Sequence, residues 1–255
     1  LTSGPILVVV GLQREARIVA GPGIVCVCGG GAGDLAQRIE AAIEAHRPEE
    51  IMSFGLAGGL VRDIEPGDFF VGSVVVAGGE RYDCDADWRE RMVLALSAID
   101  PAAEPGDPHV GLFVRSKVGY GSFPRLNPRN ELRVAGAESM ITSARAKQAL
   151  QAETGAFAVD MESLAAARAA SAHGLPLAVV RAVSDSSARD LPKAVLNGMT
   201  PDGGMNLWGV LGALAADPRQ LPDLIRTGRD AGRGFKALYH ARRLLGPRLG
   251  RADLG

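Results

Sequence analysis

Cysteine is scarce in this chain. Cys26, Cys28 and Cys84 are all it has in 255 residues. An odd count without dense spacing argues against a disulfide framework and for reduced thiols in a cytoplasmic protein. No histidine stands near enough to Cys26 and Cys28 to suggest a zinc site. Charge imbalance is lacking too: 28 basic against 29 acidic residues leave a net charge of −1. Nucleic acid and anionic membrane therefore exert no overall pull, and no nucleic-acid partner is expected. Long apolar runs are missing, the longest falling far below bilayer length. No basic n-region precedes an apolar stretch, so no signal peptide is expected. Internal repeats and low-complexity linkers are missing as well. What remains is 47% hydrophobic and 22% charged. That composition suits one large α/β domain with a core of good size.

The most informative stretch runs from Gly155 to Asp190. Ala156 to Val159 is short and apolar. Met161 to His173 is rich in alanine and stopped by Gly174, as a helix would be. Leu177 to Val183 is apolar except for Arg181, the pattern of a strand covered on both faces. An acid stands after each strand: Glu162 after the first, Asp185 after the second. In open α/β sheets the ligand crevice lies beyond the carboxyl ends of the strands, so both acids can reach one pocket. Each also has a plain reading. Glu162 sits in a first helical turn, where the helix dipole favours a carboxylate. Asp185 lies in Ser-Asp-Ser-Ser, a good turn or cap sequence.

Elsewhere, Ile6 to Val10 is a buried-type strand running into Gly11-Leu12-Gln13-Arg14-Glu15. Ile24 to Cys28 is a second strand, followed by a glycine cluster at Gly29 to Gly33 and a helix over Asp34 to Ala45. Gly31-x-Gly33-x-x-Ala36 meets the dinucleotide fingerprint loosely. The next strand, Ile51 to Phe54, ends in Gly55-Leu56-Ala57-Gly58-Gly59 without the ribose-binding acid such a site needs. A nicotinamide oxidoreductase and its cofactor are thereby excluded, and no other cofactor is implied. The glycines make a tight turn whose N–H groups can face an anion or a water, or else simply allow close packing. Strands are also expected over Phe69 to Val76, Gly111 to Val114 and Glu138 to Ile141, with a polar loop at Arg81-Tyr82-Asp83. Ala86 to Ile99 reads as an amphipathic helix, and Gly119 to Pro124 as a loop able to cover a pocket. Asn197 to Asn206 is an oddly apolar breaker-rich segment, followed by a helix over Trp208 to Ala216. A basic helical tail occupies about 219–255, with Phe235, Leu238, Tyr239 and Leu245 as one stripe. Such a stripe packs on the domain; peripheral contact with a membrane surface is the alternative.

Val159-Asp160-Met161-Glu162 together with Val179-Val180-Arg181-Ala182-Val183-Ser184-Asp185 resembles the paired motif of the nucleoside phosphorylase and nucleosidase superfamily. Among its members it resembles the methylthioadenosine/S-adenosylhomocysteine nucleosidases and the hopanoid-associated phosphorylases. The stretch ending in Glu15 and the run Gly55 to Leu60 resemble it too, and the likeness covers roughly Ile6 to Arg189. One departure is Leu56, where a serine often begins the Ala-Gly-Gly run.

The resemblance implies a three-layer α/β/α sandwich with a central mixed β-sheet, and a homo-oligomer, often a dimer. It implies cleavage of an N-glycosidic bond through an oxocarbenium-like state. Asp185, with Ser184 beside it, would protonate the purine. Met161 and Glu162 would hold the ribose, and Met140 and Ile141 would pack on the base. Glu15 would orient the attacking water. Arg14, Gly31, Ala57 and Gly58 would line the nucleophile or anion loop. Water and phosphate both stay open as nucleophile. Glu15 and Leu56 favour water, whereas Arg14 matches a phosphate-gripping arginine of larger phosphorylases. The substrate implied is a small or lipid-linked purine nucleoside, adenosylhopane among them. A non-catalytic purine-binding protein on the same fold is the alternative in kind.

Overall fold

The computed structural model describes residues 4–29, 33–97, 113–114, 131–192, 195 and 216–251. Its centre is a run of parallel strands. β10 (Leu177–Asp185) pairs with β3 (Glu50–Gly59), β3 with β1 (Ile6–Val10), and β1 with β2 (Ile24–Cys28). Side chains along these strands alternate between two cores, as the period of a strand requires. Leu7, Val9, Ile51, Val179 and Val183 face one core with α2 (Leu35–His46) and α5 (Ser163–His173). Val8, Val10, Met52, Phe54 and Val180 face the other with α1 (Gln13–Val19), α3 (Ala86–Ser97) and α6 (Leu221–Leu244). Because both faces are covered, the strands carry nearly unbroken apolar runs. Each fully buried valine or leucine contributes about 1.5–3 kcal/mol.

The remaining strands make the sheet mixed. β9 (Ala158–Asp160) lies antiparallel to Gly58 and Gly59 at the end of β3 and parallel to β8 (Arg133–Gly136). β5 (Val74–Ala77) follows β8 in parallel, and β6 (Glu80–Asp83) closes that edge as a hairpin. On the other flank β10 pairs antiparallel with β4 (Phe69–Val71), and β4 with β7 (Phe113–Val114). The result is a three-layer α/β/α sandwich with a central mixed sheet. Among the described residues no helix is long and apolar enough to cross a membrane.

Several expected boundaries move. β3 continues through the glycine run to Gly59, because its neighbours β10 and β9 supply hydrogen bonds there. The strand expected over 138–141 lies earlier, at Arg133–Gly136, and 138–141 is a bend leading into α4 (Ala144–Thr154). Arg81-Tyr82-Asp83 is not a loop but belongs to β6. The run expected over 69–76 is two strands, β4 and β5, which pair with different neighbours. In the tail, Leu238 and Leu245 are buried in the core while Tyr239 faces out at 56% exposure. The loop over 119–124, the segment 197–206 and all but the end of the helix over 208–216 lie outside the described residues.

Candidate active site

Four acids line one cavity of about 200 Å³: Asp160 at the end of β9, and Glu15, Glu162 and Asp185, which follow or end three different strands. Glu15 is the third residue of α1, directly after β1. Its carboxylate reaches back to accept from the N–H groups of Gly11 and Leu12, each at 2.8 Å, which is half of a capping box. Its other oxygen accepts from Leu56 N–H, also at 2.8 Å, and so ties α1 to β3. Glu162 stands between β9 and α5 as the N-cap residue, yet its side chain makes no cap bond and faces the cavity instead. Asp185 ends β10, just after a register shift that pairs it with Gly58.

Glycine makes these seats possible. A Cβ at Gly11 would fall 2.7 Å from Glu162 Oε1, one at Gly55 would fall 2.9 Å from the Glu15 carboxyl, and one at Gly58 would fall 3.3 Å from Asp185 Oδ2. Glycines within β3 and just after β1 leave the volume that the carboxyl groups fill.

Behind the cavity, Arg181 lies fully buried on β10. Its Nε donates to Asp160 Oδ2, and its Nη2 donates to Ser53 Oγ and to Ser163 Oγ at 2.9 Å. Ser163 N–H also donates to Asp160 at 3.0 Å. This cation offsets Asp160 and leaves Glu15 and Glu162 undercompensated. Burial pushes Glu15 above the ordinary carboxylate range, against the N–H groups of Leu56, Leu12 and Gly11 and the charge of Arg181. Burial, and then the neighbouring Asp160 and Glu15 charges, push Glu162 up to about 8; Arg181 and the Met161 N–H oppose them. Near neutral pH the site therefore presents Glu162 as a carboxyl group able to donate and to accept.

Asp185 is held differently. Lys147, on α4 and fully buried, donates from Nζ to Asp185 Oδ2 and to Ser186 O at 2.9 Å. Ser184 Oγ lies 2.7 Å from Asp185 Oδ1 and 3.2 Å from Ala57 O.

Of the residues singled out from sequence, Glu15, Ala57, Gly58, Met140, Ile141, Met161, Glu162, Ser184 and Asp185 all line this cavity. Gly31 lies outside the described residues. Arg14 does not join the lining: its guanidinium stacks over the Phe235 ring at 4.1 Å, on the outer side of α1. Leu12, Leu56, Leu191, Val195, Thr227 and Ala231 add a largely apolar stretch of wall. Sequence reasoning missed Lys147. Its signal was there, because Lys147 falls at helical spacing between Ala144 and Leu150, on the stripe of α4 that should be apolar.

A model of the phosphorylase superfamily matches residues 11–198. The chain is 30% identical over 158 residues to the 5′-methylthioadenosine/S-adenosylhomocysteine nucleosidase of Chromohalobacter salexigens, covering 58% of this chain and 60% of that protein. It is 31% identical over 157 residues to the futalosine hydrolase of Streptomyces coelicolor, covering 56% and 57%. The matches thus span under two thirds of these relatives. Among solved structures, the Neisseria meningitidis 5′-methylthioadenosine/S-adenosylhomocysteine nucleosidase in complex with methylthio-immucillin-A superposes with a TM-score of 0.60 at 14% identity, covering 96% of this chain and 98% of that one. The Streptococcus pyogenes S-adenosylhomocysteine nucleosidase in complex with 5-methylthiotubericidin gives 0.56 at 15% identity, covering 94% and 98%. At such identities the structural likeness concerns the fold.

Proposed function

This chain belongs to the phosphorylase superfamily, and from that premise we propose that it cleaves the N-glycosidic bond of a purine nucleoside, with water as nucleophile and free base as product. The observation that carries this reading is the meeting of Glu15, Glu162 and Asp185, from three separate elements, in one cavity. Asp185 donates a proton toward N7 of the leaving base. Glu162 holds the ribose hydroxyls, donating to one and accepting from the other as a carboxyl group. Glu15, fixed by three N–H donors, orients the water. Met140 and Ile141 face the base.

Two features favour water over phosphate. No lysine or arginine is among the described residues lining the cavity, and Leu56 lines it without a hydroxyl. A phosphate dianion beside Glu15 would lack the cationic cradle it needs. On the 5′ side, the wall made by Leu12, Leu56, Leu191 and Val195 suits an apolar substituent, a thioether or a bulky lipid such as the hopane of adenosylhopane.

The test is turnover of adenosine, methylthioadenosine and a lipid-linked adenosine by purified protein, with and without inorganic phosphate. Free adenine and unphosphorylated sugar are expected, at a rate independent of phosphate. A strict phosphate requirement, with sugar 1-phosphate as product, would establish phosphorolysis instead. Binding of these nucleosides without release of base would leave a purine-binding protein.

A further inference from the structure

We propose that Lys147 is a positioning residue for the leaving-group acid: it fixes Asp185 and the turn after it against the base-facing segment 139–141. The proposal rests on Asp185 being the proton donor.

Lys147 has no exposed surface. A buried ammonium is costly unless each N–H finds an acceptor and its charge a partner. Here it has both. Nζ donates to Asp185 Oδ2, to Ser186 O at 2.9 Å and to Arg189 O at 3.4 Å. It is absent from the cavity wall, so it reaches a substrate only through Asp185.

The surroundings explain why this helix carries the lysine. α4 begins at Ser143, whose Oγ accepts from Ala146 N–H at 3.1 Å. Ala144 N–H donates to Asp190 Oδ1, and Leu191 N–H donates to Thr142 O, each at 2.7 Å. The turn after β10 is thus stitched to the start of α4 at three places, with Lys147 as the innermost. Ser139, Met140 and Ile141 lie directly before α4 and line the cavity with Asp185. Lys147 therefore joins the acid to the wall that meets the base.

Among the described residues, Lys147 is the cation paired directly with Asp185. The other charged groups around Asp185 are Glu15, Asp160 and Glu162 in the main cavity. In the small adjoining cavity they are Arg189, Asp190, Asp223, Arg226 and Asp230. Arg189 is occupied with Asp230 and Arg226 with Asp223. Ser184 faces the second oxygen of Asp185, and its single hydrogen can serve either Asp185 or Ala57 O.

The test compares wild type, Lys147→Met, Lys147→Arg, Asp185→Asn and the double variant Lys147→Met/Asp185→Asn, all checked for fold by circular dichroism. Lys147→Met should lower kcat about 10²-fold at neutral pH, the usual size of a misplaced catalytic group, with KM nearly unchanged. Lys147→Arg keeps the charge but displaces the donor, so kcat should fall while KM stays near wild type. In the Asp185→Asn background, Lys147→Met should cost little more. A folded Lys147→Met with wild-type kcat, or with the same loss in both backgrounds, overturns the proposal. If Lys147→Met fails to fold, the comparison passes to Lys147→Gln, and failure of both variants to fold also counts against it. Wild-type turnover in Asp185→Asn removes the acid assignment itself, and it shows without any change at Lys147.

Discussion

Glu162 keeps a proton that an exposed glutamate would have lost, and this has a cost in stability. An unfolded chain releases that proton near the ordinary value of 4.5, whereas the folded chain holds it to about 8. Between these values the folded state binds more protons, so stability falls as pH rises, by up to about 1.4 kcal/mol per pH unit for one proton. Glu15 is raised as well and adds in the same sense. Glu80, drawn down to about 2 by Arg168 and Tyr82, acts in the opposite sense but only below the ordinary carboxylate value, outside this window. Urea unfolding of Glu162→Gln should accordingly show a flatter dependence of stability on pH between about 5 and 8 than wild type. An unchanged slope would assign the proton elsewhere. The three acids are legible in sequence because each follows a strand, where an open sheet gathers its ligands. Lys147 stands out on its helical stripe, but its pairing with Asp185 is not legible, because that partner lies 38 residues away on another element and only the tertiary fold brings them together.

At the scale of elements, α6 shows how place decides the effect of one residue type. It carries Gly228, Gly232 and Gly234 in 24 residues. A Cβ at Gly228 or Gly232 would meet nothing within 4 Å, whereas one at Gly234 would lie 2.7 Å from Leu56 Cδ2 and 3.0 Å from Val183 O. Alanine at either of the first two should raise stability by about 1 kcal/mol, the helix-propensity difference. Gly234→Ala gains the same but must push α6 off the sheet, an overpacking cost of about 1–3 kcal/mol, so the net effect should be destabilising. Thermal unfolding of the three single variants checks the signs. Helix ends were readable from caps and stops, Gly174 after α5 among them. The extent of β3 was not, because glycines that read as a loop are held in the strand by neighbours distant in sequence.

For the whole molecule, the layer arrangement follows from strand period and two covered faces, and it is legible in the apolar runs of β1 and β10. What sequence leaves open is how far apart the layers hold the reacting groups. Glu15 rests against Gly55 and Asp185 against Gly58, three residues along one strand. A strand rises about 3.3 Å per residue, which separates the two seats by roughly 10 Å. Carboxyl groups only about 5 Å apart would allow a covalent sugar intermediate and retention at the anomeric carbon; a wider gap leaves room for a nucleophile to enter opposite the departing base. If Glu15 and Asp185 act from opposite sides of the bond, as proposed, a β-nucleoside should release its sugar first as the α-anomer, whether water or phosphate attacks. Proton NMR of the product, taken before mutarotation, would show it, and a β-anomer would mean that the two seats do not act on the same bond from opposite sides.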